Sequence, residues 1–178
     1  RYIDPDGYWM ATNEYVLTPG YNEELVPAAV RPKTWDDLLD PRWKGKMAWG
    51  STTSASAGPG FIGLMIKEMG LEMARPFLEK LAKQQIVASP VAARQILDQV
   101  IAGEYALGIM MFNHHSVISA AKGAPAKWLP MSPSVVTTNV AAVLKDASRP
   151  NAGKLFLDYM VSDEGQKIFS DTDYLPTN

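Results

Sequence analysis

The sequence predicts an α/β fold with covered sheets, and three observations carry that expectation. Apolar runs of strand length alternate with helical apolar spacing at short intervals. The run from Tyr105 to Phe112 is nearly all apolar, as a strand covered on both faces requires. Hydroxyl or amide side chains recur where a strand hands over to a helix, at residues 51–56, at Ser89 and at Asn113.

In chain order, GYWMATNEYVL (7–17) is aromatic and β-branched enough for one or two short strands, closed by Pro19-Gly20. Thr34 can cap a short helix over Trp35 to Leu39 with Asp37 at its third position, and Pro41 ends it. Lys46 to Trp49 reads as a strand leading into Ser51-Thr52-Thr53-Ser54-Ala55-Ser56. From Gly60 to Met69 the apolar spacing is helical, with Gly70 at its end, and a second helix covers roughly 71–84. Ile86-Val87-Ala88 is expected as a short buried strand. Ser89-Pro90 then reads as an N-cap followed by proline, opening a helix to about Ala102. After the strand ending at Phe112 come a helix over about 114–121, Gly123, and a strand from Ala126 to Leu129. Val135 to Leu144 is a long strand pattern. Helices from Asn151 to Met160 and, capped by Ser162, to Phe169 complete the chain.

Composition narrows the function classes. The chain has 178 residues, 47% hydrophobic and 20% charged, with net charge −2. That describes a globular protein, and without a Lys/Arg run it gives no reason to expect a nucleic-acid partner. There is no cysteine. Disulfides, thiolate metal sites and cysteine nucleophiles are excluded, while cytosol and bacterial periplasm both remain open. No apolar stretch reaches membrane-spanning length. The chain opens in mid-pattern at RYIDPDGYWM, so removal of a preceding segment, by processing or by proteolysis, is expected. Residues 25–130 make a complete small α/β domain. The segments 1–24 and 131–178 hold too little core for a second and look like parts of a domain whose remainder lies outside this chain.

Candidate sites follow from the strand-to-helix junctions. Ser51, Thr52, Thr53 and Ser54 bring hydroxyls and free backbone N–H groups to one point, which favours a carboxylate, a phosphate or a phosphonate. The cluster lacks the glycine spacing and lysine of a nucleotide loop; capping alone is the competing reading. Ser89 occupies a similar junction, again either as a site or as a plain cap. Asn113, His114 and His115 form the third. As strand residues the two histidines point to opposite faces, and as helix residues they diverge by about 100°. One metal would then rarely take both, and neither an H-x-x-x-H pair nor a cysteine completes a set. One histidine in a ligand crevice, with the other solvent-facing or hydrogen-bonded, is expected. Trp35 and Trp43 read as core packing. Trp49, ending a strand, and Trp9 are candidate crevice residues, against packing for each. No nucleophile has a positioned base, and Asp98 and Glu104 fall on solvated helix ends, so no catalytic residue is expected.

The stretches PKTWDDLLDPRWKGKMAWG (32–50), GEYALGIMMFNHH (103–115) and LKDASRPNAGKLFLDYMVSDEGQKIF (144–169) resemble, in that order, the bacterial extracellular solute-binding proteins of ABC importers, in the iron(III)-binding and related class. The resemblance implies a periplasmic-binding-protein-like fold of two α/β lobes joined by crossing strands. Residues 25–130 would be the second lobe. The segment 1–24 would end the first lobe and hold the first crossing strand, and 131–178 would supply the second crossing strand and the returning helices, most of the first lobe being absent. It implies a periplasmic protein, a monomer when full length, with a signal peptide in its precursor. Such a protein captures a small-molecule solute for an inner-membrane ABC permease and needs no cofactor. Tyr21, Asn22 and Asn139 become candidate hinge positions, against structural roles. Iron-binding members carry two adjacent tyrosines just after the strand that here ends at Phe112. This sequence has Asn113-His114 there, or His114-His115 with a one-residue slip. Neutral imidazole suits softer or divalent metals better than Fe(III). A small organic anion or zwitterion is therefore the expected solute, with iron(III) or another metal ion, or a small α/β enzyme with a histidine base, as the alternatives.

Overall fold

The computed structural model describes residues 3–51 and 57–177. Its longest strand, β1 (Met10–Asn22), runs through Pro19-Gly20 instead of stopping there. The partner strand β4 (Leu107–Phe112) explains why. Thr18 pairs with Met111 and Gly20 with Gly108, so Ile109 and Met110 together oppose Pro19 alone. Met110 holds a positive φ of 58°, the extra residue of a bulge. Proline has no N–H to give the ladder, and a bulge is where a strand tolerates it.

By internal contacts the chain divides into Val16–Val135 and a second unit of Arg1–Tyr15 with Val136–Asn178. In Val16–Val135 the sheet order is β3-β2-β4-β1-β5, with β2 (Met47–Gly50), β3 (Val87–Ser89) and β5 (Ala126–Trp128). The strands β3, β2 and β4 are parallel, and β1 lies antiparallel to both β4 and β5. The expected buried character of β3 is corrected. Val87 and Ala88 are exposed, because β3 closes the edge of the sheet and has one strand neighbour.

The helices α1 (Ala57–Met69), α2 (Leu71–Ala82), α3 (Ala93–Ile101) and α4 (Asn113–Ala121) belong to this unit. In α2 and α3 the amphipathic face is legible in the spacing. In α2, Ala74, Phe77 and Leu81 are buried, and in α3 Ala93, Ile96, Leu97 and Val100. Phe61 of α1 is fully buried among aromatic rings, with centroids 5.0 Å from Trp35 and 6.5 Å from both Trp49 and Phe77. Trp35 also donates its Nε1–H to the Pro133 carbonyl at 2.9 Å, which satisfies the indole inside the core. The Thr34 cap forms as expected. Thr34 Oγ1 accepts the Asp37 N–H at 3.3 Å, while the Asp37 carboxylate accepts from the N–H groups of Lys33 and Thr34.

The other unit contains the first part of β1 with β6 (Val135–Ala141) and β7 (Leu175–Pro176), both pairing with β1. Its helices are α5 (Pro150–Met160) and α6 (Asp163–Asp171), the latter capped by Ser162, whose hydroxyl accepts the Gly165 N–H at 3.2 Å.

Candidate functional site

Parallel pairing decides where the junction residues go. Gly50 stands opposite Ser89 across β2 and β3, while Ala48 stands opposite Gly108 across β2 and β4. The C-terminal ends of all three strands therefore lie on one edge of the sheet, and Ser51, Ser89 and Asn113 follow or form those ends. Helices α3 and α4 begin beside this edge, with the uncommitted backbone N–H groups of their first turns. Open α/β sheets take their ligands at such an edge. Ser51 donates its N–H to the Ser89 carbonyl at 2.8 Å, joining two of the junctions; Ser51 is exposed and Ser89 half-buried. Thr52, Thr53 and Ser54 lie outside the described residues.

Ser89 does not cap a helix, which corrects the expectation. Helix α3 starts at Ala93, and its cap comes from Gln95, whose Oε1 accepts the Ala92 N–H at 3.1 Å. The turn between β3 and α3 passes close over β2. A Cβ added at Gly50 would meet the Val91 carbonyl oxygen at 2.7 Å, so a side chain there would push this turn off the strand end. Sequence reading overlooked Gln95, although a glutamine three residues into a helix is a recognisable signal.

The histidines begin α4 and do not diverge. Their ring centroids are 4.3 Å apart, and both rings lie against Phe112, at 5.7 Å for His114 and 5.4 Å for His115. Packing against the phenyl ring brings them together and takes both out of water. His114 is buried and His115 half-buried. Burial lowers the His114 pKa to about 4, with the neighbouring His115 adding to the effect. His115 is also lowered, by burial and by the Arg94 guanidinium, against an opposing pull from Asp98. Both are neutral imidazoles at pH 7. His115 Nδ1 is buried without a hydrogen-bond partner. Arg94 is anchored meanwhile to Ser119 Oγ at 2.9 Å and to Asp98 at 2.6 Å. Among the described residues no group of three or more His, Asp or Glu side chains is placed to hold a metal ion.

The remaining candidates sit elsewhere. Tyr21 pairs with Leu107, at the start of β4, about 17 Å along the strand from Phe112. It is buried in the core with the Arg31 guanidinium 5.0 Å over its ring. Asn22 is buried too, and its Nδ2 donates to the Val100 carbonyl at 2.9 Å, finishing the C-terminal end of α3. Both lie inside Val16–Val135, whose boundary with the other unit falls between Tyr15 and Val16. Asn139, in β6, is exposed and donates to Asn13 Oδ1 at 3.3 Å. Trp49 is half-buried, edge-on to Phe61. Trp9 is partly exposed and lines a groove of about 430 Å³ together with Tyr8, Val143, Lys154 and Leu157, within its own unit.

A family model described as bacterial extracellular solute-binding protein matches residues 1–178. A curated but uncharacterized protein of Haemophilus influenzae is 29% identical over 164 residues, which cover 86% of this chain and 45% of that one. Among solved structures, the periplasmic binding protein P5PA superposes with a TM-score of 0.80 at 26% identity, over 97% of this chain and 56% of that one. Iron-bound HitA from Pseudomonas aeruginosa gives 0.77 at 25% identity, over 99% and 58%. The chain thus spans about half the length of the proteins it matches.

Proposed function

We propose a transport function on the premise that this chain belongs to the family of bacterial extracellular solute-binding proteins. The protein works in the periplasm as the solute-binding component of an ABC importer. It captures a small organic anion or zwitterion and presents it to an inner-membrane permease. The observation that carries this reading is the convergence of three parallel strand ends and the first turns of α3 and α4 on one sheet edge. Backbone N–H groups at such an edge favour a negative group without supplying a counter-ion. Ser51 and Ser89, with Thr52, Thr53 and Ser54, are assigned to the charged end of the solute. Asn113 and His114 or His115 are assigned further hydrogen bonds.

The task is capture, not turnover. A solute that binds one arrangement of the two lobes more tightly than the other shifts the population toward it, and that arrangement is the signal to the permease. In this reading residues 25–130 are the second lobe, with the crossing strands and part of the first lobe on either side. Iron is disfavoured at this edge. Fe(III) prefers anionic oxygen ligands, whereas the histidines here are neutral, and Asn113 brings an amide.

Native mass spectrometry of the purified protein, against a denatured run for chain mass, tests the reading. A native excess of a few hundred daltons that fragments as an organic acid or phosphate ester is the expected result. An excess matching iron, with charge-transfer colour, would replace the organic solute by a metal.

A further inference from the structure

The first residue of α4 does something that its place at the solute edge does not require. Asn113 is half-buried, and its Oδ1 accepts the Val16 N–H at 3.3 Å. Backbone pairing between β1 and β4 reaches its last register pair at Leu17 and Phe112, so this side chain adds one rung where the ladder has run out. Val16 is also the first residue of its unit as the chain arrives from Tyr15. The bulge at Met110 shifts the register just before this point, and such bulges end pairing and re-aim the residues beyond them.

We infer that Asn113 is a positioning residue for solute capture, tying the N-terminal end of α4 to the strand at the place where that strand enters the unit. The inference rests on the reading of this sheet edge as the solute site. An amide suits the task because it accepts through oxygen and donates through nitrogen. The oxygen is committed to Val16, and the NH2 group lies on the other side of the same conjugated amide. A solute that accepts from the NH2 group polarises the amide and strengthens the oxygen as an acceptor. Occupancy at α4 is thereby felt at Val16. Serine at this position could not do both through one planar group.

Hydrogen exchange resolved to the Val16 amide, in the intact wild type, Asn113→Ala and Asn113→Asp, tests the tie, each with and without glucose 6-phosphate as an anionic probe. Without the probe, Asn113→Ala should exchange Val16 about tenfold faster, the loss of roughly one hydrogen bond. Asn113→Asp keeps an acceptor oxygen and should stay within about twofold of wild type. With the probe, Val16 should slow further in the wild type but not in Asn113→Asp, which lacks the NH2 group and repels the anion. Unchanged exchange at Ile109, deep in β4, controls for general loosening. Equal Val16 exchange in Asn113→Ala and wild type overturns the inference, and so does equal slowing by the probe in Asn113→Asp. A probe that slows no amide of the wild type counts against a sugar phosphate as the solute, while the probe-free comparison still decides the tie.

Discussion

The unit Val16–Val135 buries its large side chains: Phe61, Leu107, Ile109 and Met110 are fully enclosed, and Trp35 and Trp43 nearly so. The unit formed by Arg1–Tyr15 and Val136–Asn178 does the reverse. Helix α5 has no buried residue, and Leu144, Leu155 and Phe156 are well exposed. Apart from Ala11 and Val161, its buried side chains among the described residues are polar: Thr12, Asn13 and Gln166. Gln166 alone donates to the carbonyls of Thr12 and Met160 at 2.8 Å each and accepts the Thr177 N–H at 2.6 Å. One unit is thus enclosed around aromatic rings, while in the other, within this chain, strand pairing and the Tyr15, Phe169 and Tyr174 rings are joined by a buried glutamine that links β1, α5 and the C-terminal segment. Packing is cumulative over many contacts, whereas a hydrogen bond yields a modest net gain because water competes for it. The two units should therefore fail by different routes.

Phe61→Ala is the largest test of that contrast. It should cost about 3–5 kcal/mol by removing a fully buried ring from an aromatic cluster. Urea unfolding followed by tryptophan fluorescence measures it, since Trp35 and Trp49 touch this ring. A loss below about 1 kcal/mol would place the centre of the core elsewhere. Gln166→Ala should cost about 2 kcal/mol, confined to its own unit, and should release the Thr177 amide to exchange while amides of β4 keep their protection. Equal loosening in both units would break the comparison.

The smallest effect is a dependence on pH carried by the apolar unit. His114 has its folded pKa at about 4, below the ordinary 6.5. Between those values the unfolded chain binds a proton that the folded chain refuses. Stability is therefore fully present above about pH 7 and declines as pH falls through 6.5 toward 4. Between pH 7 and 5.5 the loss should be on the order of 1 kcal/mol. Denaturation midpoints at the two pH values measure it, and His114→Gln should flatten the difference. A ring proton of His114 that titrates near pH 6.5 by NMR would show that the imidazole is not enclosed.

Local rules carried far along this chain. The face of α3 was legible because Ala93, Ile96, Leu97 and Val100 recur with the helical period, and the Thr34 and Ser162 caps because hydroxyls there have nearby N–H groups to accept. Ser89 misled because the same dipeptide can finish a strand or begin a helix. What separates the two is the parallel pairing of Gly50 with Ser89, a contact between residues far apart in sequence. β1 ran on through Pro19-Gly20 for a related reason, since the bulge that tolerates them sits in another strand.

The alternation of strands and helices, the apolar faces and the three junctions where hydroxyl and amide groups gather can all be read from the order of the residues. These depend on residues within one or two turns of each other, where periodicity and capping act. That those junctions share one edge, that the two imidazoles pack together against Phe112 and that Asn113 reaches Val16 emerges only in three dimensions. Strand order, register and the enclosure of a side chain are set by partners distant in sequence, and burial is what lowers both histidines below their ordinary pKa.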